Sequence, residues 1–184
     1  MKTLALTWTA LLFFSNSLQE EPQKPKIDLP KEVLASFENM RDLLEDGSTV
    51  KDATMSMRTR IGACDRQSIL LRTNVETKDP KGLQANIVFE ISVPWQKIKS
   101  TEVVAAQTDE QFEARLLLSD PIVARTSAEI ALAPGAEKHH KDGESKLKVV
   151  AIRFAKRAEA RKFTEAFDSF RAKLSPPGTT SVPK

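Results

Sequence analysis

The sequence predicts an α+β fold: about seven antiparallel strands forming a bent sheet or small barrel, with an N-terminal helix and a C-terminal capping helix. Three observations across the 184 residues carry that expectation. Apolar residues recur at helical spacing near both ends, as Val33, Phe37, Met40 and Leu44, and again as Ala160, Phe163, Phe167, Phe170 and Leu174. Between these stretches the period falls to two, the alternation of a strand with one buried and one wet face. Turn-forming residues separate the alternating runs, which follow one another without helical crossovers and so favour antiparallel neighbours.

Taken in order, "DLPKEVLASFENMRDLLEDGS" predicts a helix from about Pro30 to Asp46. Pro30 suits its first turn, Glu32 lies where the helix dipole favours an acid, and Gly47 is a C-terminal stop. From Ala53 onward Met55, Met57, Thr59 and Ile61 alternate with Thr54, Ser56, Arg58 and Arg60. Further strand-like runs cover Ile69 to Val75, Ile87 to Val93, Phe112 to Leu118, Ile122 to Leu132 and Leu147 to Phe154, with a seventh near Ile98 to Val104. Breaks are expected at Asp65, at "KDPKG" (Lys78 to Gly82), at "SDP" (Ser119 to Pro121) and in the loop "APGAEKHHKDGES" from Ala133 to Ser145. Pro94 should interrupt the run it follows.

The last helix carries Phe163, Phe167 and Phe170 on one stripe, with Lys156, Arg157, Glu159, Arg161 and Lys162 on other faces. Burying each phenylalanine stabilises by roughly 1.5 to 3 kcal/mol, so this stripe is expected to lie on the sheet. Pro176 and Pro177 end the helix, and residues 175–184 read as a disordered tail.

The first 17 residues, "MKTLALTWTALLFFSNS", have the order of an export signal: Lys2, an uncharged apolar core, then the small residues Ser15 and Ser17. The strongly apolar part is about a dozen residues, short of the roughly 20 that span a bilayer. The expectation is a cleaved signal peptide, cut after Ser17, with no stable membrane insertion of the remainder and a secreted or periplasmic location. Residues 18–29, which include Pro22 and Pro25, read as a flexible linker, and residues 30–174 as one domain.

Composition narrows the function classes. Lys plus Arg number 28 against 25 Asp plus Glu, a net charge of +3 that becomes +2 without Lys2. There is no Lys/Arg block with interleaved aromatics and no Tyr, so no nucleic-acid partner is expected. Cys64 is the only cysteine, which rules out an intramolecular disulfide and a cysteine-based metal site. His139 and His140 are adjacent, and neither HExxH nor CxxC occurs, so no metal is expected. GxSxG, GxGxxG and P-loop patterns are likewise missing, so no catalytic residues and no cofactor are assigned.

"VVAIRFAKRAEARKFTEAFDSFRAKL" resembles the last strand and C-terminal helix of pleckstrin-homology (PH)-like domains, most closely those of Ran-binding domains. "VFEISVPWQKIKSTEV" is similar to the strand, turn and "PW..I.S.E" entry of bacterial PH-like domains. The resemblance covers about Ala53 to Leu174 and implies a PH-like order of seven strands followed by one helix. The Trp-containing motif with which Ran-binding domains engage their GTPase is missing, so that partner is not implied. Phosphoinositide-holding members place Lys and Arg near the loop joining their first two strands, where this sequence has Arg58, Arg60, Arg66 and Arg72. An anion-binding patch and a solvated strand face are the two readings of these arginines.

Arg58, Arg60, Arg66 and Trp95 are therefore the candidate binding residues, Trp95 because it follows Pro94 at a bend, where it either exposes a flat apolar surface or enters the core. The function expected is an exported, non-catalytic binding or interaction domain of the cell envelope that engages a protein or peptide. Two alternatives stand beside it: a small-ligand carrier or enzyme with a fold-assembled pocket, and a cytosolic Ran-binding-like adaptor.

Overall fold

Pro30 holds an extended backbone (φ −60°, ψ 146°) immediately before helix α1, Lys31–Gly47. Its fixed φ directs the chain into the first turn, where Glu32 meets the positive end of the dipole. The computed structural model describes residues 25–51, 53–78, 82–106, 111–131 and 136–174. The expected signal peptide (1–17), most of the linker and the tail (175–184) lie outside them. The linker's last residues are ordered by pairing: Lys26–Ile27 forms strand β1, parallel to Ala63 and Cys64.

After α1 come β2 (Val50–Lys51), β3 (Met55–Cys64), β4 (Ser68–Lys78), β5 (Gln84–Pro94), β6 (Ile98–Ala105), β7 (Phe112–Ala131), β8 (Lys138–Phe154) and helix α2 (Arg157–Leu174). They form one sheet of eight strands in the order β1-β3-β4-β5-β7-β6, with β2 also beside β3 and β8 also beside β7. The α+β class and both helices are as expected. The sheet is open, which corrects the small-barrel alternative.

The reason lies in β7. "SDP" is not a turn between two strands but an irregularity inside one 20-residue strand, where the register passes from Leu117↔Val149 to Ile122↔Leu147. Strand β8 follows β7 along both halves, while β5 pairs residues 124–131 and β6 pairs residues 112–118 on the other side. Pro94 ends β5 as expected, and a 3-10 turn at Trp95–Lys97 leads into β6. The interruption between β5 and β6 thus faces the irregular segment of β7, so pairing on both edges of β7 shifts in the same stretch. The expected loop from Ala133 to Ser145 is mostly strand as well: His139 and His140 lie in β8, opposite Ile130 and Glu129. Pairing of β8 with β7 holds them in the sheet, an outcome that polar composition alone does not announce.

The Phe stripe of α2 is buried as expected, with Phe163 1% exposed and Phe167 and Phe170 fully covered. Ring centroids stand 5.7 Å apart for Phe37 and Phe170, 5.6 Å for Trp95 and Phe167, 5.5 Å for Trp95 and Phe170, and 5.4 Å for Phe154 and Phe163. These tilted and edge-on contacts join the two helices to each other and to the sheet. Gly47 serves close approach more than chain reversal: a Cβ there would meet Cδ1 of Phe154 at 3.0 Å. Among the described residues no helix is long and apolar enough to cross a membrane.

Candidate functional site

The hairpin turn between β3 and β4 is built from "DRQS". The Asp65 carboxylate accepts the backbone N–H of Gln67 and of Ser68, each at 2.7 Å, and the Asp65 N–H donates to Ser68 O at 3.0 Å. This arrangement is what a short acidic side chain does at the head of a tight turn. Trp95 then locks the turn from the core side. Its indole Nε1–H donates to Asp65 O at 2.9 Å and its backbone N–H to Gln67 O at 3.0 Å. A third tie comes from the approach to α1, where the Asp28 N–H donates to Cys64 O at 2.9 Å.

Between the turn and the entry to α1 lies an open cleft of about 480 Å³, lined by Asp28, Leu29, Pro30, Asp65, Arg66 and Gln67. Arg66 and Gln67 are exposed, and their backbone is held on one side by Trp95 and on the other by the Asp65 carboxylate. Two acidic residues and one arginine thus line the cleft beside a turn whose backbone is held in place, a mixed polar lining.

The four residues singled out by sequence separate into two places. Trp95 is 7% exposed, its ring packed on Phe167 and Phe170, so it is a core residue and not an exposed platform. It nevertheless joins Arg66 at the turn, because it fixes the backbone that carries that arginine. Arg58 and Arg60 stand elsewhere, on the sheet face opposite the core. Arg60 is directly opposite Arg72, and the rung continues through Glu90 and Arg125 to Glu144. Arg72 is neutralised by Glu90, with its Nε 2.9 Å from the carboxylate, and Arg125 reaches Glu144 at 3.5 Å. Arg58 keeps its Nε away from solvent with no acceptor among the described residues.

Asp28, Gln67 and the cleft itself were not legible as a site, since β1 brings Asp28 to the turn only through pairing with β3. The Asp65 turn was legible from its residue type, but its anchor on Trp95, 30 residues away, was not. Glu113 was also passed over: it is 8% exposed, paired with Arg115 at 2.9 Å and near Arg153 at 3.5 Å, a buried acid whose charge is balanced on the sheet.

Cys64, next to the turn, has its thiol pushed up to about 12, first by burial and then by the neighbouring Asp65 charge, so its nucleophilic thiolate is suppressed. Among the described residues no group of three or more His, Cys, Asp or Glu is placed to hold a metal ion. No family model, curated protein or solved structure matches the chain.

Proposed function

We propose that this chain is an exported, non-catalytic binding domain of PH-like architecture that engages a protein or peptide through the cleft at the β3–β4 turn. The observation that carries this reading is that Arg66 lines one cleft with Asp28 and Asp65, on a turn whose backbone Trp95 holds. A preorganised site loses little conformational freedom when an extended peptide settles into it. Export is supported by the order of charge, apolar core and small residues in the first 17 positions. The PH-like reading is supported by the meander of strands that ends in β8 and α2. The test is selection of binders from a displayed random-peptide library by the purified protein. Selected peptides should lose about tenfold or more in affinity for Arg66→Glu or Asp28→Lys, a loss typical of a charged contact removed from a small interface. Peptides that bind both variants as well as the parent, or no selectable peptide, would remove the cleft from the proposal.

A second reading, a small-ligand carrier, is favoured by one observation. On the core face, beyond the part of the sheet that carries the fully buried residues, Met57, Val75, Ile87, Phe89 and Ile130 form a half-buried apolar strip. A long-chain fatty acid would suit such a strip. Saturable displacement of a hydrophobic dye, lost in Phe89→Asp and retained in Arg66→Glu, would favour the carrier over the peptide-binding domain.

A further inference from the structure

Among the described residues strand β8 pairs only with β7, so its far edge presents backbone N–H and C=O groups with no strand partner there. Residues Lys138 to Lys146 are all exposed. Natural sheets guard such edges, and Lys is a common guard. The charges on β8 do more than guard it, because they are antisymmetric. Reading "DGESKLK" outward from Ser145, Glu144 is matched by Lys146 and Asp142 by Lys148.

We propose that two copies of this chain join edge to edge through β8, antiparallel, with the two-fold axis at Ser145. In an antiparallel pair, residues directly opposite point to the same face. Glu144 of each copy then faces Lys146 of the other, which gives two complementary charge pairs on the face opposite the core, and Asp142 lies toward Lys148, where the β7–β8 register shifts. Gly143 meets Leu147 on the core face, where the lack of a glycine side chain leaves room for the leucine. Because the axis runs through a residue, both core faces lie on the same side and the two open sheets become one. The interface is isologous, as a closed dimer requires.

The register is selected by charge. Moving the axis to Glu144 sets Glu144 against its own copy, and moving it to Lys146 sets Lys146 against its own copy. An axis at Gly143 places Asp142 against Glu144 twice. Of these axes only the one at Ser145 sets both Glu144 and Lys146 against a charge of the other sign. Lys146 and Lys148 are in no ion pair with any described residue, so each is free to meet a partner. Glu144 shares its carboxylate with Arg125 at 3.5 Å, both side chains well exposed, and Asp142 lies 3.2 Å from His140. Neither contact encloses the acid. The pairing also extends the rung Arg72, Glu90, Arg125, Glu144 by one further charge of alternating sign.

Sedimentation equilibrium of the full purified chain tests this directly. A concentration-dependent dimer is expected, weakened by raised salt because the pairs are exposed. In a two-fold dimer each single reversal, Lys146→Glu or Glu144→Lys, turns two attractive pairs into repulsive ones and should raise the dissociation constant by about tenfold or more. The double variant E144K/K146E restores opposite signs and should return it to within about threefold of the parent. All of these side chains are exposed, and unchanged far-UV circular dichroism would show that the variants fold. A monomer at every concentration up to the order of 1 mM would overturn the proposal. A dimer indifferent to the single reversals, or a double variant as weak as the singles combined, would overturn it equally.

Discussion

The indole N–H of Trp95 donates to the carbonyl of Asp65 across 2.9 Å, so a residue of the aromatic core also sets the conformation of an exposed hairpin turn. Trp95→Phe keeps most of the ring contact with Phe167 and Phe170 and deletes only this bond. Stability should fall by about 1 kcal/mol, whereas Trp95→Ala should cost about 3 to 5 kcal/mol through the cavity it leaves. Urea titrations give both values. Hydrogen exchange at Gln67 and Ser68 separates the two effects, since faster exchange there in Trp95→Phe reports loss of the anchor.

Gly47 ends α1 directly against Phe154. Helix propensity alone would make Gly47→Ala stabilising by up to about 1 kcal/mol. The added methyl would stand 3.0 Å from Cδ1 of a fully buried ring, with Glu159 Cβ at 3.3 Å on another side, so there is little room to yield. A net loss of about 1 to 3 kcal/mol is expected from overpacking. A rise in the thermal midpoint would show that the ring moves aside freely.

Ser48, fully buried, bridges the end of α1 to β3. Its Oγ donates to Thr59 O at 2.9 Å and accepts the Thr59 N–H at 3.2 Å. Ser48→Ala leaves both backbone groups of a residue only 2% exposed without that partner. The loss should be about 1 to 3 kcal/mol, larger than for an exposed serine. A denaturant midpoint unchanged from the parent would mean that other groups take over both bonds.

The Cys64 thiol predicts an alkaline limit to stability. Its folded value of about 12 lies above the ordinary 9.0, because burial and then Asp65 disfavour the thiolate. Above pH 9 the unfolded chain releases this proton while the folded chain retains it, so unfolding is increasingly favoured up to about pH 12. Below pH 9 the thiol contributes no slope. Cys64→Ala should flatten the fall in stability between pH 9 and 11, measured by denaturant titration at each pH. In the native parent at pH 8 the thiol should resist a disulfide reagent and react only on unfolding.

Much of the fold is legible from single residues and their spacing. Val33, Phe37, Met40 and Leu44 form the buried side of α1, and Met55 to Ile61 alternates as β3 requires. The misreadings share one cause. "SDP" and "EKHHKDGE" are polar and look like loops, yet Ser119 to Pro121 and His139 to Glu144 belong to long strands. At His139 to Glu144 hydrogen bonding to the neighbouring strand β7 overrides local turn preference, and local composition does not contain it. The site was half legible for a related reason. Arg66 and the Asp65 turn are adjacent in the chain, whereas Asp28 and Trp95 reach them only through strand pairing and core packing.

The sequence by itself determined two amphipathic helices flanking a strand-rich middle, the lone cysteine, the near-neutral charge and the antisymmetric charge run around Ser145. Those properties follow from residue identity and short-range periodicity. Only the tertiary structure decided that the sheet stays open, that Trp95 is a core anchor and not an exposed surface, and that β8 has an edge with no strand partner among the described residues. Each of these depends on which strands become neighbours, a choice made by long-range burial of the phenylalanine stripe and by pairing across 20 or more residues of chain.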